Sequence, residues 1–377
     1  MKLIHLSDLH LGKRVNEFPM IEDQKFILEE ILAIIGEEKP QGVIIAGDVY
    51  DKAMPSTDAV KLFDDFLVRL AGMGPRVFII SGNHDSAERI AFGGRLLDAS
   101  GIHLSPVYDG NVRPVSLEDE YGACRVYLLP FVKPVNVRAA FPGEAIASYT
   151  DAVRVAIGHM QIDPSARNIL VTHQFVTGAE RCDSEELSVG GADNVDASVF
   201  APFNYVALGH LHGPQNVSER IRYCGTPLKY SFSERDHRKP ATVVELGKDG
   251  SPAVRERPLH PRHDLRELRG SYNELTLRSN DEGTVRDEYL HIVLTDEEDV
   301  PDAMARLRVV YPNLMKLDYD NTRTRTAPML VEAEAAERKS EIDWLDELYE
   351  KQNGKPLSDV QRAFSEELFE KLKEGEA

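Results

Sequence analysis

Apolar and polar positions follow two different periods along the first 260 residues. Short apolar runs that end in a polar cluster read as strands: KLIHLSD, GVIIAGD ending at Asp48, RVFIISGNHD, CRVYLLP, NILVTHQ and YVALGHLH. RYCGTP and ATVVELG read as further strands closing a sheet. Between the early runs the period lengthens to that of a helix. Residues 22–36 predict one helix, stopped at Gly36. Residues 57–71 predict a second, capped by Thr57, with an apolar stripe at Val60, Phe63, Phe66, Leu67 and Leu70. A third is expected across Glu88–Ala99. Strand–helix alternation followed by consecutive strands predicts an α/β sandwich. Every polar cluster falls at a strand end, where such folds collect their ligands.

The pattern changes near Arg262. LRELRGSYNELTLRS, EYLHIVLTD, a helix across Val300–Val310 and LMKLDYD predict a small α/β unit. After Pro328 two helices are expected, over 332–351 and 357–373, joined at Asn353-Gly354-Lys355-Pro356. The predicted organisation is a domain over 1–261, a second over 262–328 and C-terminal helices over 329–377.

Composition narrows this picture. The chain has 377 residues, of which 42% are hydrophobic and 28% charged, as expected of a globular protein with a substantial core. No apolar run approaches the ~20 residues of a membrane-spanning helix. Asp8 and His10 interrupt the opening MKLIHLSDLHLG, so it does not read as a signal peptide. Cys124, Cys182 and Cys224 lack metal-binding spacing and are expected to be free thiols in a reducing cytoplasm. A formal net charge of −19 argues against a passive nucleic-acid coat, but not against an enzyme that holds phosphates on a metal centre. Acidity is concentrated at the end of the chain, where acidic residues outnumber basic ones 14 to 7 from Glu332 onward.

The strand ends carry the candidate chemistry. Asp8 and His10 lie two apart and can share a side; a carboxylate with an imidazole suits a borderline divalent ion. Asp48 follows Gly47, and its two oxygens can bridge two ions. In GNHD, Asn83 offers a neutral amide oxygen, His84 stands beside the metals without being needed as a ligand, and Asp85 is expected to orient the His84 ring. His173 ends a strand, and His210 and His212 form a pair of imidazoles two apart. Each segment alone is weak evidence. Five separated segments, all supplying oxygen or imidazole at strand ends, make a strong constellation.

D-x-H, G-D-x-x-D, G-N-H-D, a strand-end His and G-H-x-H, in this order over residues 1–240, resemble the calcineurin-like metallophosphoesterase superfamily. The opening HLSDLHLG, the GNHDS turn and the C-terminal additions resemble more closely its SbcD branch of DNA nuclease subunits. That resemblance implies two mixed β-sheets flanked by helices, a small DNA-capping domain and a C-terminal helical hairpin. It implies one ion held by Asp8, His10, Asp48 and His212, and another by Asp48, Asn83, His173 and His210, both manganese. His84 is then the group that protonates or stabilises the leaving oxygen during in-line hydrolysis of a phosphodiester. The implied activities are exonuclease action on duplex ends and endonuclease action on single strands or hairpins, in double-strand break processing. The implied partners are DNA and an SMC-like ATPase of the SbcC type, two copies of each subunit. The chain has no G-x-x-x-x-G-K-[ST] segment of its own, so any controlling ATPase must be another polypeptide. Docking of that partner's coiled coil is expected at Leu345, Leu348, Phe364, Leu368 and Phe369. The branch also dimerises near its active face, which points to residues 57–71 and 88–99, with Phe63, Phe66 and Leu67 in the seam. Lys13, Arg14, Arg89 and Arg95 follow the metal motifs and are candidate phosphate contacts, as are Arg235, Arg238 and Lys239. A phosphodiesterase acting on a small cyclic nucleotide would use the same metal set, but needs neither the added domain nor the acidic hairpin.

Overall fold

The strands of the first half are apolar on both faces, so each face of their sheet must be covered. In the computed structural model two six-stranded sheets meet this demand by packing on each other. The first contains β1 (Lys2–Leu6), β2 (Gly42–Ala46), β3 (Arg76–Ile80), β4 (Ile102–Leu104), β11 (Pro240–Leu246) and β12 (Pro252–Pro258), in the order β12-β11-β1-β2-β3-β4. The second contains β5 (Pro114–Asp119), β6 (Gly122–Leu128), β7 (Arg167–His173), β8 (Tyr205–Gly209), β9 (Gln215–Asn216) and β10 (Ile221–Tyr223), in the order β9-β10-β8-β7-β6-β5. β1 to β4 run parallel, as do β6, β7, β8 and β10. The structure describes residues 1–180, 182, 193–278, 285–325, 342, 345, 346, 348–350 and 356–374.

Strand alternation divides the core into layers. Val43 and Ile45 of β2 pack outward with Ile31 of α1 (Ile21–Glu38) and with Phe63 and Phe66 of α2 (Thr57–Met73). Ile44 and Ala46, on the other face, meet Val126, Ile169 and Val171 of the second sheet. The outer face of that sheet, through Leu170 and Val206, is covered by α5 (Pro134–Ala140) and α6 (Tyr149–Gly158). The result is a four-layer α/β/β/α sandwich. Its parallel strands bring Leu6, Ala46 and Ile80 to one rim of the first sheet, and His173 and Gly209 to one rim of the second.

Several local expectations need correction. The first helix runs past Gly36 and stops at Lys39, which is left-handed at φ 48°. Ser56 caps α2, not Thr57: its hydroxyl accepts the Ala59 N–H at 3.2 Å. The helix expected across Glu88–Ala99 is broken into α3 (Ala87–Ala91) and α4 (Gly94–Leu97), because Phe92 is extended and Gly93 is left-handed at φ 75°. Phe63 and Phe66 are core residues rather than an exposed seam, while Val60, assigned to the buried stripe, is exposed. The strands β5 and β12 and the helices α5 and α6 were not anticipated.

Beyond residue 260 the chain forms β13 (Leu265–Gly270), α7 (Tyr272–Arg278), β14 (Tyr289–Leu294), α8 (Ala303–Val310) and β15 (Leu314–Tyr319), with strand order β13-β14-β15. α8 starts later than Val300 because Pro301 disfavours a helical Val300 and Asp302 is left-handed at φ 53°. A further helix, α9, spans Asp359–Glu374. Most of the helix expected over 332–351 lies outside the described residues. The chain divides into two units. One comprises Met1–Leu268, Leu277–Ile292 and Met304–Leu317; the other comprises Arg269–Thr276, Val293–Ala303 and Asp318–Ala377. No helix among the described residues is long and apolar enough to cross a membrane.

Placing Phe66 in the core and Val68, 64% exposed, on the surface has a measurable consequence. Phe66→Ala should cost about 3–5 kcal/mol in urea unfolding. Val68→Ala should change stability by less than about 0.5 kcal/mol. Equal losses would put both faces of α2 in the core.

Candidate metal centre

The rim residues are held by backbone geometry that ordinary strands do not have. Asp8 (φ 52°), His10 (φ 44°), Asp48 (φ 49°) and His210 (φ 100°) are all left-handed. Such conformations cost of order 1–3 kcal/mol each and persist only where surrounding bonds over-determine them. Here Asp8 N–H donates to Gly47 O at 3.0 Å, and His10 N–H donates to Asp48 O at 2.9 Å, locking the turns after β1 and β2 together. Gly82 and Gly209 let the remaining segments close in. A Cβ on Gly82 would overlap the Asp48 carboxylate, and one on Gly209 would overlap Ala46 O and lie 2.7 Å from His173 Nδ1.

These turns bring all seven predicted ligand residues together. His10, Asp48 and His84 present ligand atoms within 4.8 Å of one another, and so do Asp8, Asp48 and His173. Asp48 belongs to both groups. His173 Nε2 lies 3.3 Å from Asp48 Oδ2 and 4.0 Å from Asp8 Oδ1. Asn83 Oδ1 is 2.9 Å from His173 Nε2 and 3.0 Å from His210 Nδ1. The His10 and His212 rings lie 5.1 Å apart. Asp8, His10, Asp48, His173 and His212 are buried, whereas Asn83, His84 and His210 are half-buried.

Hydrogen bonds fix which ring nitrogen faces the crevice. The His173 Nδ1–H donates to Ala46 O at 2.8 Å, turning Nε2 toward the carboxylates. The His84 Nδ1–H donates to Asp51 O at 3.1 Å, which leaves its Nε2 to carry or take a proton. Asp85 therefore does not orient His84 as expected. Its carboxylate instead accepts backbone N–H groups from Val49 at 3.1 Å, Tyr50 at 2.9 Å and Gly82 at 3.0 Å, clasping two metal loops to each other. Burial and the Asp48 charge push Asp85 up to about 6.

The donor set fits divalent ions. Both ring nitrogens of buried His10 lack a hydrogen-bond partner, a costly state that a metal bond would relieve. Burial holds its pKa far below the usual range, so it is a neutral imidazole ready to ligate. Asp8 and Asp48 are buried together, and no described Lys or Arg pairs with either. Burial, reinforced by the Asp48 charge, raises Asp8. Burial, the largest single influence, would lower His173, but the Asp48 charge and hydrogen bond, the Asp8 charge and the Ala46 carbonyl together outweigh it and lift the ring to about 9. Mixed carboxylate, amide and imidazole donors suit Mn2+, Fe2+ or Zn2+.

Three supports were missed at the sequence level because they lie far from the ligands in the chain. Gln24 donates to His10 O at 2.7 Å and accepts Gly12 N–H at 2.9 Å. Tyr230 donates to Leu9 O at 2.6 Å. Glu234 stands 3.4 Å from His212 Nδ1. The predicted phosphate contacts separate into two kinds. Lys13 is turned inward, with Nζ 2.7 Å from Asp51 Oδ1, and Lys239 is buried, so both are poorly placed to meet a phosphate backbone. Arg14, Arg89, Arg95 and Arg238 are exposed. A cavity of about 610 Å³ lined by Lys229, Arg235, His237 and Arg238 includes none of the ligand residues.

The tight approach at Gly82 generates a test. Gly82→Ala should abolish Mn2+ binding in calorimetry, because the added methyl displaces Asp48. Gly72→Ala, with nothing near its Cβ, should leave binding unchanged. Full metal uptake by Gly82→Ala would show that Asp48 does not depend on that approach.

The calcineurin-like phosphoesterase family profile matches residues 1–214. A second profile, described as the type 5 capsule protein repressor C-terminal domain, matches residues 261–353. The SbcD component of the SbcCD nuclease of Staphylococcus epidermidis is 31% identical over 324 residues, 84% of this chain and 85% of that protein. Among solved structures, a dimetal phosphatase from Danio rerio is 13% identical with a TM-score of 0.42, covering 68% of this chain and 96% of its own. A protein from Thermus thermophilus is 10% identical with a TM-score of 0.38, covering 68% and 98%. The profile match over the sandwich and the extended relative agree with the rim chemistry: the chain belongs to the calcineurin-like phosphoesterase family and, within it, to the SbcD nuclease branch, and is a metal-dependent phosphodiesterase.

Proposed function

We propose that this chain is the Mn2+-dependent nuclease subunit of a DNA double-strand break processing complex. The observation that carries the reading is Asp48, whose carboxylate belongs to both ligand groups. One ion would be held by Asp8, His10, Asp48 and His212, the other by Asp48, Asn83, His173 and His210. When bound, the two ions supply Lewis-acid stabilisation of charge developing on the phosphate and a nucleophile at neutral pH. His84 stands at the open side and delivers a proton to the leaving oxygen from Nε2, its ring held by Asp51 O. The substrate classes proposed are duplex ends for exonuclease action and single strands or hairpins for endonuclease action. That the relative is a subunit of a nuclease supports a nucleic acid over a small cyclic nucleotide.

In this reading residues 262–328 cap DNA, and residues 329–377 dock the coiled coil of an SbcC-type ATPase in an assembly with two copies of each subunit. Exposed apolar side chains support the docking role: Leu348, Phe364 and Leu368 are exposed, and Leu345 and Phe369 are half-buried. Phe92 (85% exposed) and Leu96 (82%) support dimerisation through residues 88–99, with Val60 and Val68 the exposed apolar positions of 57–71. Arg14, Arg89 and Arg95 remain as phosphate contacts, giving sequence-independent, salt-dependent binding. The buried free thiols Cys124 and Cys224 fit a reducing cytoplasm.

The purified chain with Mn2+ should cleave labelled hairpin and linear duplex DNA, with and without the ATPase. Cleavage of a small phosphodiester alone would overturn the reading. His84→Ala should reduce DNA cleavage about 10²–10⁴-fold with bound Mn2+ unchanged. Loss of metal would instead make His84 a ligand, which its distance from His10 and Asp48 allows. Truncation after Pro328 should abolish ATPase binding in a pull-down; retained binding would remove the docking assignment.

A further inference from the structure

His212 is gripped at two places by one buried ion pair from a distant loop. Glu234 ends a short 3₁₀ turn, Phe232–Glu234, and is fully buried. Its Oε1 lies 3.4 Å from His212 Nδ1, and its Oε2 accepts from Lys239 Nζ. Lys239 is buried as well. Its ammonium has three donors, and each finds an acceptor: Glu234, His212 O at 2.8 Å and Thr226 Oγ1 at 2.8 Å. A carboxylate can only accept, so Nδ1 of His212 carries the hydrogen and Nε2 keeps its lone pair.

We propose that Glu234 and Lys239 are positioning residues for the metal centre: Glu234 fixes the ring tautomer and orientation of His212, and Lys239 fixes both Glu234 and the His212 backbone. Buried ion pairs contribute little net stability compared with a well-packed apolar pair, so stapling the loop is a weak reason to bury two charges here. Orienting a metal-binding imidazole by a carboxylate is a stronger one, since such partners are typically worth about 10–100-fold in metal affinity. The assignment rests on His212 being a ligand of a two-ion centre.

The test is Mn2+ titration of the full-length chain by calorimetry, with Mn2+ electron paramagnetic resonance to follow each site. Glu234→Gln alone strands the Lys239 charge and risks misfolding. The double variant Glu234→Gln/Lys239→Met removes both charges together, and its melting temperature is measured without metal. Wild type should bind two Mn2+. The double variant should melt near wild type, yet bind one of the two ions about 10–100-fold more weakly, with the other unchanged. Wild-type affinity for both ions in a folded double variant would overturn the inference while leaving the two-ion reading intact. A wild-type chain that takes up no Mn2+ would overturn both. Equal weakening of both ions would point to general loosening of the rim and would also count against it. Glu234→Asp, which keeps the charge on a shorter arm, should recover part of the lost affinity; no recovery would argue against orientation of the ring.

Discussion

Two carboxylates share one buried crevice, and the surrounding architecture answers to them. Removing a carboxylate from water costs several kcal/mol even after relaxation, and Asp8 and Asp48 are both removed. No described Lys or Arg offsets them. Compensation comes from fixed dipoles and imidazoles. His84 N–H donates to Asp48 at 2.9 Å, His210 N–H donates to Asp8 at 3.0 Å, and His10 and His173 stand alongside. Charge-assisted bonds of this kind are stronger than neutral ones, but they neutralise nothing. A positive charge is still required, and His173 meets part of that need by holding a proton tightly. Divalent ions would meet it fully and would relieve His10, whose nitrogens make no hydrogen bond.

Holding these groups together demands a backbone that does not yield. Left-handed turns at Asp8, His10, Asp48 and His210 would relax if the loops were free. They are not free. The loops after β1 and β2 hydrogen-bond to each other, Asp85 ties the β3 loop to the β2 loop, and Gln24 and Tyr230 anchor the loop after β1 from behind. Strain in the turns is thereby carried by the sandwich, whose apolar strands supply stabilisation of roughly 1.5–3 kcal/mol for each fully buried Ile, Val or Phe.

Much of this was legible in the chain because ligand chemistry and strand periodicity are local. An apolar run followed by Gly-Asp or Gly-Asn-His identifies both a strand and what its end presents, and all seven candidate ligand residues are brought together at the rim. What failed depended on contacts between distant residues. Asp85 sits next to His84 in sequence, yet its oxygens turn to the backbone of Val49 and Tyr50. Phe63 and Phe66 are large and apolar, which suits a seam and a core equally; only the position of α2 over β2 assigns them to the core. Lys239 resembles any exposed base until Glu234 and His212 are found beside it. Strands such as Pro252–Pro258 carry too many charges to stand out by hydropathy, and register with β11 defines them instead.

The distribution of exposure across the centre bears on how a substrate is chosen. The deepest residues are Asp8, His10, Asp48 and His173, which have no surface left to read a base. Among His84 and the candidate ligands, Asn83, His84 and His210 are the ones left half-buried, and their chemistry suits a phosphate and its leaving oxygen. A site built this way recognises the one group that every phosphodiester shares. Discrimination among phosphodiesters then has to come from elements outside the crevice. The exposed arginines offer attraction without sequence preference. Under the proposed function, shape selection falls to the chain beyond residue 261, the part of the molecule that a phosphoesterase for small substrates would not need.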